Sequence, residues 1–112
     1  MLVAYNVALE MVRLLRPVLE QMKVINLDCA KQLQRAASSV VLNLGEGQRR
    51  AGGDKRRAYE IAHGEAREVM AALDLAEAWG WSLRDTEVRA KLDHLLALCW
   101  GLTHPRAVAD PR

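Results

Sequence analysis

Apolar residues recur along this chain at alternating spacings of four and three, the period of one helix face. The first run is Ala4, Ala8, Met11, Leu15, Val18 and Met22; the second is Ala30, Leu33, Ala37, Val40 and Leu44. A third runs through Ala62, Ala66, Val69, Leu73 and Ala76, and a fourth through Val88, Leu92, Leu95, Cys99 and Leu102. Four such stripes predict an all-α fold, an antiparallel up-down four-helix bundle. Residues 1–102 form a single domain on this reading, and residues 103–112 a flexible tail with little to pack. Helix 1 carries further apolar residues at Val7, Val12, Leu14 and Leu19, and helix 4 at Leu96, Leu98 and Trp100. That surplus fits either a broad core-facing stripe or contact with another subunit.

Local chemistry marks the boundaries. Asp28 and Asp54 are the expected caps of helices 2 and 3, and Ser82 with Asp85 suggests the start of helix 4. Gly80 stands where a left-handed residue would close helix 3, and Gly47 with Gly52 and Gly53 is expected to end helix 2 and turn the chain. Pro17 removes a backbone hydrogen bond, so a kink or break is expected in helix 1. Trp79 and Trp81, either side of Gly80, are expected to lock that helix end against its neighbour rather than meet a ligand.

Composition narrows the class. The chain has 112 residues, no Phe, and a net charge of only +2, so attraction to a polyanion must come from local clustering. The clustering is there. Arg49, Arg50, Lys55, Arg56 and Arg57 surround the helix 2–helix 3 connection, offset only in part by Asp54, while Glu60, Glu65, Glu68, Asp74 and Glu77 lie further on. A helix dipole favours the reverse order, each charge being worth roughly 0.3–1 kcal/mol, so stability does not explain these bases. Either a phosphate-binding patch or a solvated, solubility-promoting loop would account for them, with Arg35 a further candidate for phosphate unless it pairs with Glu46. No aromatic is interleaved with the bases, so base stacking is not indicated by the sequence.

Candidate catalytic chemistry is thin. Glu60 and His63 match half of a bundle di-metal motif, but no second Glu-x-x-His accompanies them. Ser38 and Ser39 lie in no nucleophile motif, and Gly45 and Gly47 begin no Walker loop. Cys29 and Cys99 form no zinc or disulfide signature and read as small core residues. The expectation is a protein without catalysis, cofactor or metal. No run approaches the ~20 apolar residues of a membrane span, and the N-terminus lacks a secretory pattern, so a cytoplasmic location is expected. Asn43 and Glu46 read as a polar joint that would tie helix 2 to a basic or amide partner.

The segments "QLQRAASSVVLNLGEGQRR" and "YEIAHGEAREVMAALDLAEAWGW" resemble a bacterial family of small four-helix bundles encoded in intervening sequences of 23S ribosomal RNA genes. That family includes the accessory variability proteins of diversity-generating retroelements. Gln32, Arg35, Ala36, Ser39, Asn43, Glu46 and Gly47 fall on the first half of its pattern. Ile61, Ala62, Gly64, Glu68, Gly80 and Trp81 fall on the second. Glu65 stands where Ser is usual, which bears on the close helix contact expected at Gly64, and Gly45 stands where Ala is usual. The resemblance implies a homo-oligomer, commonly a pentamer, with a positively charged surface that takes RNA or DNA. For the retroelement members it also implies a reverse transcriptase partner. It implies no catalysis.

Overall fold

The computed structural model describes residues 2–105, and every regular element among them is an α-helix. The helices are α1 (Val3–Ile25), α2 (Leu27–Arg49), α3 (Gly52–Ala78) and α4 (Thr86–Thr103). Each packs on two neighbours, α1 and α3 both lying against α2 and α4, so the four enclose one core as a four-helix bundle. The start of α1 meets the end of α2, where the Leu2 amide donates to Gln48 Oε1 at 3.2 Å. At the other end the Arg84 amide, just before α4, donates to Gln21 Oε1 at 3.1 Å.

The stripes are the core. Met11, Leu15, Met22, Leu33, Leu44, Leu73, Leu92 and Leu95 are its largest fully buried side chains. Burying each is worth roughly 1.5–3 kcal/mol. Leu102 is only half-buried, and the following Thr103 takes the buried position, its hydroxyl donating back to the Cys99 carbonyl. The apolar surplus resolves mostly inward. Val7 is buried, and Val12, Leu14, Leu19, Leu96 and Leu98 pack against the core, leaving Trp100 exposed. The broad-stripe alternative therefore accounts for nearly all of it. The residues that do face solvent lie elsewhere, led by Val24, Leu42, Trp79 and Val3.

Several boundary expectations are corrected. Asn26, not Asp28, caps α2: its Oδ1 accepts from the Cys29 amide at 2.9 Å. The same residue closes α1, its own amide donating to the Met22 carbonyl, so one extended residue joins two helices. Asp54 does not cap α3, which begins two residues earlier after Ala51 with no side-chain cap. Ser82 lies in the loop before α4, and Asp85 at that helix's N-cap bonds Arg89 rather than backbone N–H groups. Gly47 does not end α2, which continues to Arg49. α1 is not broken at Pro17; the helix runs through it.

The close of α3 follows expectation. Gly80 has φ +81°, its amide reaches the Glu77 carbonyl, and the Trp81 amide reaches that of Ala76. This is the paired Schellman closure. Trp81 packs against the core, whereas Trp79 is 69% exposed and locks nothing. Most of the expected tail, from residue 106 onward, lies outside the described residues.

Candidate nucleic-acid interface

Of the five bases at the α2–α3 connection, Arg49 ends α2, Arg50 lies between the helices, and Lys55, Arg56 and Arg57 belong to the start of α3. Arg50 pairs with Glu46 one turn back at 2.6 Å, and Arg56 with Glu60 one turn on at 3.0 Å. Both pairs are solvent-exposed and worth about 0–1 kcal/mol, too little to hold these side chains from another anion. Arg49, Lys55 and Arg57 have no carboxylate partner among the described residues. Between the two groups lies open backbone. A Cβ built on Gly52 or Gly53 would meet nothing within 4 Å, and Gly52 has φ +59°. The N–H groups that begin α3 have no side-chain cap, and the first turns carry Lys55, Arg56 and Arg57 beside the single acid Asp54.

Arg35 is not part of this corner. It lies roughly 21 Å from Arg49 along α2. It does not pair with Glu46; it bridges to α3, reaching Glu68 at 3.0 Å and Glu65 at 3.7 Å. The longer contact is an ion pair without a hydrogen bond, and Glu65 Oε2 is left buried with no bonding partner. Burial first, then the neighbouring Glu68, pushes the Glu65 carboxyl above its ordinary value, with Arg35 opposing.

The Asn43 and Glu46 expectation is also corrected, because neither residue reaches another helix. Asn43 Nδ2 donates to the Ser39 carbonyl at 2.9 Å and to its hydroxyl at 3.1 Å, within α2. Glu46 is taken by Arg50. The joint is Gly47 instead, buried against the ring of Tyr59. Gly64 is exposed, and a Cβ there would meet nothing within 4 Å. Its place in the sequence pattern has no counterpart in packing within this chain.

Two clusters escaped the sequence reading. Arg13, Arg16 and Lys23 line an open groove of about 640 Å³ along α1, beside Pro17 and Gln34. Their spacing on one exposed face was the available signal. Trp100 of α4 stacks on His104, with ring centroids 3.3 Å apart, and makes a T-shaped contact with His63 of α3 at 6.0 Å. No local spacing announces that meeting. Glu60 and His63 do not converge on a common point, since Glu60 is held by Arg56 and His63 turns to Trp100. No group of three or more His, Cys, Asp or Glu that could hold a metal occurs among the described residues.

Residues 2–98 match the family model described as 23S rRNA-intervening sequence protein. The chain belongs to this family. The match spans all of α1, α2 and α3 and most of α4, well beyond the two motif segments that first suggested it. No curated protein and no solved structure matches the chain. No described helix is long and apolar enough to cross a membrane.

Proposed function

We propose that this family member is a non-catalytic protein that binds RNA or DNA through its phosphate backbone, at the basic corner where α2 meets α3. The observation that carries the reading is the start of α3. Three bases sit in its first turns against the helix dipole, around N–H groups that no side chain caps. Lys55 and Arg57, with Arg49 beside them, have no internal carboxylate to neutralise them among the described residues. Bases so placed cost folding stability and suit an external anion. Contact with phosphate alone makes the binding tolerant of sequence and steeply dependent on salt.

The bundle in this reading is antiparallel and up-down, which the contacts of Leu2 with Gln48 and of Arg84 with Gln21 support. Its copies assemble into a homo-oligomer, a pentamer on the family resemblance, through the exposed apolar residues Val24, Leu42, Trp79 and Val3. An accessory role beside a reverse transcriptase is the second reading, supported by the same exposed apolar residues.

The test is fluorescence anisotropy with a labelled RNA at two salt concentrations. The triple variant Arg49→Glu, Lys55→Glu, Arg57→Glu is expected to bind at least tenfold more weakly and with a shallower salt slope, roughly 0.9 less for each duplex phosphate no longer neutralised. Unchanged affinity in that variant overturns the reading. Light scattering on the same samples gives the number of copies.

A further inference from the structure

Trp100 is 54% exposed on a surface whose other side chains are mostly charged or small. Its ring is held in place. His104 lies almost parallel to it, at an interplanar angle of 15°, and is itself fixed by contacts from Nδ1 to the Thr103 hydroxyl at 2.9 Å and the Trp100 carbonyl at 3.1 Å. His63, on the facing helix, makes a T-shaped contact with it at an interplanar angle of 65°. Burial, then Arg67, then His104 hold the His63 imidazole below its ordinary value, so this ring stays neutral at neutral pH. The result is an ordered tier of flat rings, with Arg67 one turn on from His63 along α3.

One ring of the tier, His63, lies on the same helix as Lys55, Arg56 and Arg57. His63 follows Arg57 by roughly 9 Å along α3, at about 1.5 Å per residue. Aromatic faces next to a cationic track are the arrangement that holds unpaired bases, because every base has a face to stack and duplex bases have none to spare.

We propose that Trp100, with His104 and His63, is a base-stacking platform continuous with the basic corner, and that the natural ligand is therefore single-stranded nucleic acid. The proposal rests on the phosphate-binding reading of the corner and adds the class of strand. A solvent-facing indole is by itself an ordinary surface feature. The ring stacked on it and the second ring in T-shaped contact set this one apart.

The test compares a short single-stranded RNA with a duplex of the same length, against the wild-type chain and Trp100→Leu, which keeps apolar bulk. Removing one stacked base is expected to weaken single-strand binding about tenfold and leave duplex binding unchanged. Trp100→Tyr is expected to restore most of that affinity, and circular dichroism confirms that both variants are helical. In a Trp79→Phe, Trp81→Phe background, Trp100 is the sole indole, and the single strand alone should quench it.

Three results would overturn the platform. One is single-strand affinity unmoved by Trp100→Leu while the charge-reversal variant still binds more weakly, in which case the corner stands without it. Another is equal quenching by duplex. The third is a blue shift of the lone Trp100 emission with rising protein concentration and no quenching by RNA, which marks that face as a contact between copies. If the wild-type chain binds neither strand form, the reading of the corner falls and the platform falls with it.

Discussion

Gly47 of α2 and Tyr59 of α3 occupy one space: a methyl group built on Gly47 would lie 2.7 Å from Tyr59 Cδ1 and closer still to Cε1. Tyr59 is buried, and burial pushes its hydroxyl above the ordinary tyrosine value. Gly47 therefore leaves on α2 the space that the buried Tyr59 ring of α3 fills. Two residues earlier, the same methyl on Gly45 would lie 3.3 Å from Tyr5 Cε1 of α1, a tight contact against a ring that is only half-buried.

These two glycines should respond oppositely to alanine. Gly47→Ala gains helix propensity but overpacks a rigid ring, for a net destabilisation of about 1–2 kcal/mol. Gly45→Ala should gain up to about 1 kcal/mol, since Tyr5 can give by a few tenths of an ångström. Urea denaturation measures both, and a shortened partner, Tyr59→Leu, should relieve the cost at Gly47.

Arg89 gathers three carboxylates between α3 and α4: Asp74 at 2.7 Å, Asp85 at 2.9 Å and Glu77 at 3.2 Å. The bond to Asp74 first, with those to Asp85, raises its guanidinium above the ordinary value. Arg89→Met should cost about 1–3 kcal/mol, because it leaves like charges crowded with no cation. Arg56→Met removes only an exposed pair and should cost under about 0.5 kcal/mol. Thermal melts of the two variants at low and high salt distinguish a network from a surface pair.

Glu65 and Glu10 should give opposite pH signatures. The raised Glu65 carboxyl contributes stability that is complete below the ordinary value of 4.5 and is lost as pH rises through its folded value. Glu65→Gln should therefore stabilise the protein at neutral pH, by up to about 1 kcal/mol, with the difference vanishing at acid pH. Glu10 is lowered, first by its hydrogen bond to Lys91, so its contribution is present above 4.5 and fades as pH falls through its folded value. Glu10→Gln should destabilise at neutral pH and converge with wild type in acid. Stability measured across pH 3 to 7, about one unit apart, tests both.

The thiols should separate by reactivity. Burial pushes Cys99 up to about 11, leaving almost no thiolate at neutral pH, while Cys29 is only half-buried. A thiol reagent should label Cys29 in the native protein and Cys99 only in denaturant. Mass spectrometry of the labelled peptides reads the order directly.

What could be read from sequence was what the backbone enforces over a few residues. Period alone identified four helices and nearly every core position, because a helix repeats its faces every three to four residues whatever lies opposite. Gly80 was legible for the same reason, being set by a local positive φ. Caps were less so: Asn26, Asp28 and Asp54 are all competent, and only the residue that turns extended just before the first helical turn can act. The basic corner was visible as a run of charge, since consecutive residues stay together in any fold.

Tertiary packing decided the rest, because it chooses among partners far apart in the chain. Arg35 lies about three turns from Glu46 on an unbroken α2, too far to pair, and bridges to Glu65 and Glu68 on the next helix. Gly47 reads as a helix stop until Tyr59 is laid against it. His63 and Trp100 belong to different helices, and only the packing of α3 on α4 makes their rings one surface.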